Sequence, residues 1–248
     1  MKLLSIDIEN SPHLVYTYNL WGNNMYIAPD MVVERSRILC FAAKWIGEGT
    51  EPMFFSEYHN GRPNMLSEFW NLLNEADALV HFNGNRFDET KINKELLVQG
   101  YDPPSPFKHI DLYTVVKKNF DFAYKRLDQV AAELGLGRKV KHSGISLWKR
   151  CLAGDPEAWE KMREYNVQDV VLNEELFDVL KPWISTLPSV GAAEGKDVCP
   201  ACGNVNLTKE GFALTKTGKY QRYRCNSCGT WLKSSRRVAG TKIVQETR

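Results

Sequence analysis

The chain has 248 residues, of which 43% are hydrophobic and 25% charged, with 17 glycines, 11 prolines and six cysteines. This composition is too apolar for a disordered chain and is typical of a soluble globular protein. The longest clean apolar run, residues 38–43, is much shorter than the roughly 18 residues that a membrane span needs. Because Asp7 interrupts the first apolar stretch, no secretion signal is expected either. We therefore expect a cytoplasmic protein that does not associate with membranes.

The net charge of +2 is distributed unevenly along the chain. Residues 191–248 contain 11 lysines and arginines but only four acidic residues, whereas residues 1–190 contain 21 basic and 26 acidic residues. An acidic body followed by a basic C-terminal segment predicts two parts with different partners. A polyanion, most often nucleic acid, is the natural partner of the basic part.

Hydrophobic periodicity divides the first 185 residues into strands that are followed mainly by helices. The predicted strands are residues 2–9, 37–46, 52–58 and 76–82, of which the second and third form a hairpin. The predicted helices are residues 64–74, 87–98, 111–119, 127–134, 145–152 and 155–180. This arrangement predicts an α/β domain with a mixed sheet. Prolines and a Gly/Ala-rich stretch after residue 181 indicate a linker.

Four of the six cysteines form two Cys-x-x-Cys pairs, Cys199 with Cys202 and Cys225 with Cys228, each followed by glycine. This spacing predicts a tetrahedral Zn²⁺ site in a zinc ribbon, with a hairpin over residues 207–224 between the pairs. Two disulfides or stray thiols are the alternative, which the missing secretion signal disfavours. Since so small a module cannot bury a large core, metal binding should supply its folding free energy.

Aromatic and basic residues alternate within the same C-terminal segment. The residues concerned are Phe212, Tyr220, Tyr223 and Trp231, with Lys216, Lys219, Arg222, Arg224 and Lys233. One interpretation is a surface that stacks the bases and contacts the phosphates of a single strand. The other is that the rings form the small core of the ribbon itself.

Acidic residues occur at three separate positions where strands or helices would place them together. Asp7 and Glu9 lie two apart on the first strand and point to one face, although a solvated edge strand would show the same pattern. Asp88 follows a buried strand at a strand-to-helix boundary, where sites of open α/β sheets occur. Tyr165 and Asp169 share a face of the last helix. Because converging carboxylates need a cation between them, the pattern predicts a two-metal phosphodiester site.

These positions resemble the three motifs of the DEDD 3′→5′ exonucleases of the tyrosine subtype. The motifs are Asp7-Ile8-Glu9, Asn83-x-x-x-Phe87-Asp88 and Tyr165-x-x-x-Asp169. The second is most similar to the proofreading domains of family B DNA polymerases and their stand-alone, often phage-borne relatives. The resemblance implies a ribonuclease H-like mixed sheet flanked by helices, which we assign to residues 1–187. The zinc ribbon is not part of the family pattern; the cysteine spacing and the composition predict a linker over 188–197 and a zinc ribbon with a basic tail over 198–248.

The resemblance also implies the chemistry of the site. Two Mg²⁺ or Mn²⁺ ions about 4 Å apart would activate the attacking water and stabilise the leaving 3′-oxygen. Their ligands would be Asp7, Glu9, Asp88 and Asp169. Tyr165 would orient the water, and Asn83 and Phe87 would help to place the terminal nucleotide. The products would be nucleoside 5′-monophosphates.

The implied substrate is nucleic acid, with DNA favoured over RNA and single strands or 3′ ends favoured as the form attacked. A replication or repair protein is a further expected partner. Two alternatives remain open at this point: a structure-specific ribonuclease H-like endonuclease, and a non-catalytic module that binds nucleic acid through its zinc ribbon.

Overall fold

The computed structural model describes residues 1–18, 26–47, 49–84, 88–185, 187 and 195–241, without the side chains of residues 88 and 89. The chain divides into two compact units, Met1–Phe177 and Asp178–Arg248. The boundaries inferred from the sequence remain a prediction, since most of the proposed linker lies outside the described residues. Within the part of the chain that the structure describes, every helix is too short or too polar to cross a bilayer.

A five-stranded mixed sheet forms the centre of the first unit. Its strands, in spatial order, are β5 (Met53–Ser56), β4 (Ile38–Trp45), β1 (Leu3–Asn10), β6 (Ala78–His81) and β7 (Lys108–Asp111). β1 is antiparallel to β4 and parallel to β6, and β7 continues the sheet parallel to β6. A separate antiparallel pair consists of β2 (Leu14–Val15) and β3 (Val32–Glu34). The mixed sheet predicted from the sequence is therefore confirmed.

Helices account for most of the rest of the first unit. They are α1 (Glu57–Asn60), α2 (Arg62–Glu75), α3 (Asp88–Val98), α4 (Leu112–Asn119), α5 (Leu127–Glu133), α6 (Ile145–Leu152) and α7 (Pro156–Leu180), with 3₁₀ turns at Pro29–Met31 and Lys181–Trp183. Asp155 caps α7, because its carboxylate accepts the backbone N–H groups of Glu157 and Ala158. The predicted strand over residues 52–58 is shorter than expected, since Ser56 accepts the N–H of His59 and begins α1 instead.

The strand β1 is buried on both sides, and each side has a different role. Leu4, Ile6 and Ile8 contribute to a core cluster with residues of α2 and α3. On the opposite face, the hydroxyl of Ser5 donates to the backbone carbonyl of Val170 in α7, at 3.1 Å. Because side chains alternate along a strand, the residues that share the Ser5 face are directed towards α7.

β7 was not predicted from the sequence. The strand has four residues, Lys108–Asp111, of which only Ile110 is buried. A short run with two charged ends carries no clear alternation, so the pattern cannot distinguish it from a loop. Its parallel pairing with β6 decides the strand conformation.

The second unit contains a three-stranded antiparallel sheet with β9 (Gly218–Cys225) in the centre. β8 (Leu207–Leu214) lies on one side and β10 (Trp231–Gly240) on the other. The predicted hairpin corresponds to β8 and β9. The sequence pattern does not predict β10. This strand lies in the segment that was expected to be only a basic tail, and it pairs with β9.

The core of the first unit depends on stacked aromatic rings between the sheet and α2. The rings of Phe41 and Phe69 lie 4.4 Å apart, and both side chains are fully buried. We expect Phe69→Ala to lower the free energy of unfolding by about 3–5 kcal/mol, because it leaves a cavity. Urea unfolding followed by circular dichroism measures the change. The exposed Leu97→Ala is the control, with an expected change within about 0.5 kcal/mol.

Candidate functional site

Three carboxylates from distant parts of the chain meet between β1 and α7. Oxygen atoms of Asp7, Glu9 and Asp169 all lie within 4.8 Å of one another. Asp7 and Glu9 reach this place because they alternate with the buried Ile6 and Ile8 on β1. Asp169 reaches it because α7 packs across that face of the sheet. We call these three residues the acidic cluster.

Asn166 fastens α7 to the strand that carries two members of the acidic cluster. Its side-chain N–H₂ donates to the carboxylate of Asp7 at 2.6 Å and to the backbone carbonyl of Asp7 at 3.2 Å. Asn166 is fully buried, so these bonds form away from solvent, where an unmade bond is costly. Together with the bond from Ser5 to Val170, they fix the position of α7 relative to the acidic cluster.

Asp169 is the most deeply buried member of the acidic cluster, with 1% of its surface exposed. Burial raises the pKa of its carboxyl group, while the positive charge of Lys139 opposes that rise. The ammonium group of Lys139 lies 2.5 Å from Asp169 Oδ2. The other oxygen, Oδ1, is buried and has no hydrogen-bond partner among the described residues. That oxygen can therefore act as a ligand atom for a cation.

The acidic cluster has the composition that a hard divalent cation requires. Mg²⁺ and Mn²⁺ prefer carboxylate oxygens, and three such groups converge here around the free oxygen of Asp169. Without a cation, the mutual repulsion of the carboxylates would destabilise the arrangement. Lys139 offsets part of this repulsion, since the charges of Asp169 and Asp7 raise its pKa in spite of its burial. The residues therefore fit a metal centre.

Tyr165 lies one helical turn before Asp169 and shares its face of α7. Burial and then the charges of Glu9 and Asp169 raise the pKa of its hydroxyl above the ordinary value. The hydroxyl is therefore an uncharged hydrogen-bond donor beside the acidic cluster. The ring of His142 packs 4.7 Å from the ring of Tyr165. These contacts hold the Tyr165 hydroxyl at the edge of the acidic cluster.

The second sequence motif is described only in part. Asn83 is exposed and has a φ of 66°, the one left-handed non-glycine conformation among the described residues. Its backbone N–H donates to Asp111 at 2.8 Å, and Asp111 also caps α4 through the N–H of Tyr113. Asp88 begins α3 as the sequence suggested, but its side chain lies outside the described residues, as does the whole of Phe87.

A basic cleft of about 780 Å³ opens beside Tyr165 and Asn83. Its basic lining residues are Lys125, Arg126, Arg138, Lys139, Lys141 and His142. The carboxylate of Asp128 accepts the backbone N–H of Lys139 at 2.8 Å and so holds the strand-like segment that carries several of them. A positive cleft in an otherwise acidic body can bind phosphate groups and concentrate polyanions. The cleft lies next to the acidic cluster, since Lys139 and Tyr165 both line it and Lys139 contacts Asp169.

The sequence motifs assign no role to Asn166 or to Lys139, although both contact the acidic cluster. Asn166 lies within the Tyr-x-x-x-Asp motif, directly after Tyr165. A polar residue inside a motif that supplies site residues could have indicated a role at the site. Lys139 has no such signal. Its contact with Asp169 spans 30 residues and depends on the fold of the segment between α5 and α6.

The four predicted zinc ligands come together in the second unit. Cys199, Cys202, Cys225 and Cys228 lie within 4.8 Å of one another through their sulfur atoms. Sulfur atoms of a tetrahedral site with Zn–S bonds of about 2.3 Å are about 3.8 Å apart. The distances Cys199–Cys228 and Cys202–Cys225 are both 3.6 Å, much longer than a disulfide bond of about 2.05 Å. The thiols are free, and the cluster fits a zinc ribbon.

The two halves of the cysteine cluster repeat one backbone pattern. The N–H of Gly203 donates to the carbonyl of Cys199, and the N–H of Gly229 donates to that of Cys225, at 2.8 and 2.9 Å. Both glycines have positive φ angles, 72° and 75°, which glycine adopts without steric cost. Each turn thereby directs two sulfurs towards one point. This repeated geometry is the reason that glycine follows each Cys-x-x-Cys pair.

Comparison with known proteins identifies the class. A family model described as RNase_H superfamily matches residues 34–181, and the chain belongs to that superfamily. The match begins after β1, so it contains Asp169 and Tyr165 but not Asp7 or Glu9. The prediction of a ribonuclease H-like fold is confirmed, and membership of this superfamily supports a nuclease.

Among solved structures, the chain is similar to a family B DNA polymerase from the hyperthermophilic archaeon Pyrobaculum calidifontis. The TM-score is 0.53 at 18% sequence identity, over 87% of this chain and 31% of the polymerase. The chain thus corresponds to about a third of that polymerase, and the likeness concerns the fold. No curated protein matches the chain significantly in sequence.

The bonds of Asn166 should contribute measurably to stability. We expect Asn166→Ala to lower the free energy of unfolding by about 1–3 kcal/mol, because it removes two buried hydrogen bonds to Asp7. Chemical denaturation measures the change. Glu164→Ala, at an exposed position of the same helix, is the control and should stay within about 0.5 kcal/mol. Equal stability of the two variants would contradict the assigned role.

The cysteine cluster can be tested by metal analysis of the purified chain. We expect about one Zn²⁺ per chain in the wild type and none in Cys225→Ser, because a tetrahedral site needs all four thiolates. The second unit should then lose its folded structure, since metal binding supplies its folding free energy. Cys151→Ala, which changes a buried cysteine outside the cluster, should retain the zinc. Full zinc content in Cys225→Ser would refute the assignment.

Proposed function

We propose that the chain is a metal-dependent 3′→5′ exonuclease that hydrolyses phosphodiester bonds, most readily at the 3′ ends of single-stranded DNA, and releases nucleoside 5′-monophosphates. The observation that carries this proposal is the acidic cluster with Tyr165 at its edge, beside a basic cleft. The ribonuclease H-like fold supports hydrolysis of nucleic acid. The Tyr-x-x-x-Asp arrangement on α7 favours the exonuclease over other nucleases of this fold.

The metal centre would contain two Mg²⁺ or Mn²⁺ ions. Asp7, Glu9 and Asp169 would hold them, with Asp88 as the fourth carboxylate. When bound, such ions supply an activated water and neutralise the charge of the leaving 3′-oxygen. The buried oxygen of Asp169 without a partner supports this assignment, because it offers a ligand that nothing else in the described chain uses.

The residues of the chain would bind and orient the substrate around this centre. Tyr165 keeps its proton and would hold the attacking water by a hydrogen bond. Lys139 is near enough to Asp169 to exchange this ion pair for a contact with the scissile phosphate. Asn83 lines the cleft and would contact the terminal nucleotide, with Phe87 packing against it.

The cysteine cluster would hold one structural Zn²⁺ in a ribbon over residues 198–248, following an exonuclease domain over residues 1–187 and a linker over 188–197. Thiolates select zinc there, while carboxylates select harder cations in the acidic cluster. A replication or repair protein is proposed as a further partner of the chain.

Two other functions predict different results. A structure-specific endonuclease of the same fold would use the same metals but would not need a free 3′ end. A non-catalytic module would bind nucleic acid through the ribbon and leave it intact. The convergence of the three carboxylates of the acidic cluster argues against the non-catalytic module, whereas it fits both kinds of nuclease, which the substrate test below separates.

Labelled substrates test the polarity. The wild-type chain with Mg²⁺ or Mn²⁺ should shorten a 5′-labelled DNA oligomer progressively and release labelled mononucleotide at once from a 3′-labelled one. RNA oligomers of the same sequence should be degraded more slowly. Circular single-stranded DNA should remain intact, and cleavage of unnicked circles would refute the exonuclease.

Variants of the acidic cluster test the metal centre. Asp7→Asn should lower kcat by about a thousandfold or more, because metal ions contribute several kcal/mol of transition-state stabilisation. Tyr165→Phe should lower kcat with little change in KM. Asp102→Asn removes an exposed carboxylate that belongs to none of the three motifs, and it should leave kcat unchanged. If wild type and Asp7→Asn were equally inert with either metal, the non-catalytic alternative would hold.

A further inference from the structure

The sheet of the second unit has two faces of different character. On one face, Leu207 and Leu232 pack against the buried Cys199 and Cys225. Tyr223 pairs with Leu232 across β9 and β10 and shares that face. The hydrophobic core of the ribbon therefore occupies one side of the sheet, and Tyr223 is directed towards that side.

The opposite face combines cations with two aromatic rings. Cross-strand pairing places Trp231 opposite Arg224, Lys233 opposite Arg222, and Arg237 opposite Tyr220. Because alternate residues of a strand share a face, these side chains form one surface. We call it the arginine face, and its members are Tyr220, Arg222, Arg224, Trp231, Lys233 and Arg237.

Trp231 is 54% exposed although it is the largest apolar side chain of the ribbon. The guanidinium groups of Arg222 and Arg224 each lie 5.8 Å from its ring centroid. The ammonium group of Lys233 lies 5.2 Å from the ring of Tyr220. Each ring is thus accompanied by cations on the same surface, and the indole is not used by the ribbon's core.

The far end of the arginine face is shaped by two glycines. A Cβ atom at Gly240 would lie 2.4 Å from a guanidinium nitrogen of Arg237, and one at Gly218 would lie 2.9 Å from its Nε. Arg237 therefore lies flat across both glycines, next to Tyr220. Glycine at these paired positions leaves room for a cation on this face, where any other residue would displace it.

Positive charge predominates on this surface. None of the cross-strand partners of its four cations is acidic, and all four cations are exposed. Glu210 alternates with Thr208, the partner of Arg224, and therefore lies on the same side of the sheet, but among the described residues it forms no ion pair with any of the four cations. A concentration of uncompensated positive charge around exposed rings is complementary to a chain of phosphates with accessible bases.

We propose that the arginine face binds single-stranded nucleic acid, with a base stacked on Trp231 and phosphates held by Arg222, Arg224, Lys233 and Arg237. Tyr220 and Trp231 stand at opposite ends of the face, since four residues of β9 span about 13 Å, so the two rings contact different nucleotides. Duplex DNA is a poorer partner because its bases are already stacked. This inference deepens the proposed function by assigning a second contact for the same substrate.

Binding can be measured in the full-length chain without hydrolysis. All variants carry Asp7→Asn, and the probe is a 5′-fluorescein oligothymidylate whose anisotropy is followed over a salt series. Trp231→Ala should weaken binding by roughly 5- to 150-fold, the range for one base–aromatic stack. Trp231→Phe should recover most of the affinity. Trp183→Ala, which removes an equally exposed tryptophan of the same unit, is the matched control.

The arginines are tested by the salt dependence. Arg222→Ala with Arg224→Ala should reduce the slope of log Kd against log salt by about 1.4, at about 0.7 for each phosphate contact of a single strand. The double variant Lys196→Ala with Lys209→Ala removes the same charge elsewhere in the unit and should change the slope less. Zinc content and circular dichroism confirm that each variant is folded.

Two results would overturn the proposal. Unchanged oligothymidylate binding in folded Trp231→Ala and in the double arginine variant would mean that the face serves another partner, such as an acidic protein segment. An equal loss of duplex and single-strand binding in Trp231→Ala would exclude base stacking. Neither result depends on hydrolysis. Failure of the proposed exonuclease activity is recognised separately, because the wild-type chain would then leave the labelled oligomers intact.

Discussion

The first unit depends on the control of repulsion between carboxylates that its fold forces together. Asp7 and Glu9 on β1 and Asp169 on α7 converge, and Asp169 is almost completely buried. A buried carboxylate raises the free energy of the folded state unless cations and hydrogen-bond donors compensate its negative charge. Lys139 and Asn166 provide part of this compensation from within the chain. The remaining ligand capacity, at the buried Oδ1 of Asp169, is the physical reason to assign a divalent cation to this site.

The two units would position their metal ligands by different physical means. In the first, a core that includes the stacked rings of Phe41 and Phe69 fixes the sheet and helices that carry the carboxylates. In the second, only a few apolar side chains surround the cysteines. Such a module cannot be stable through burial alone, and a metal bound by the four cysteines would contribute to its folding free energy.

The two positively charged surfaces arise from the local arrangement of basic residues and not from the net charge of the chain. Residues 1–190 have more acidic than basic residues, yet the cleft beside Tyr165 collects basic side chains from the segments around α5 and before α6. In the ribbon, alternation along β9 and β10 separates Arg222, Arg224 and Lys233 from the apolar face. Both surfaces can attract a polyanion, because field strength depends on the local arrangement of charges.

The sequence alone determined the features that depend on short-range patterns. Alternation placed Asp7 and Glu9 on one face of β1, the Asp155-Pro156 signal began α7, and Cys-x-x-Cys-Gly spacing formed both turns of the cysteine cluster. Tertiary structure decided what depends on long-range pairing. β7 and β10 form because they pair with the edges of β6 and β9. Lys139 contacts Asp169 because distant segments pack together. The register between β9 and β10 places Trp231 and Tyr223 on opposite faces of the sheet. Local periodicity reports the face of a side chain within its own element, and only packing decides which other element that face meets.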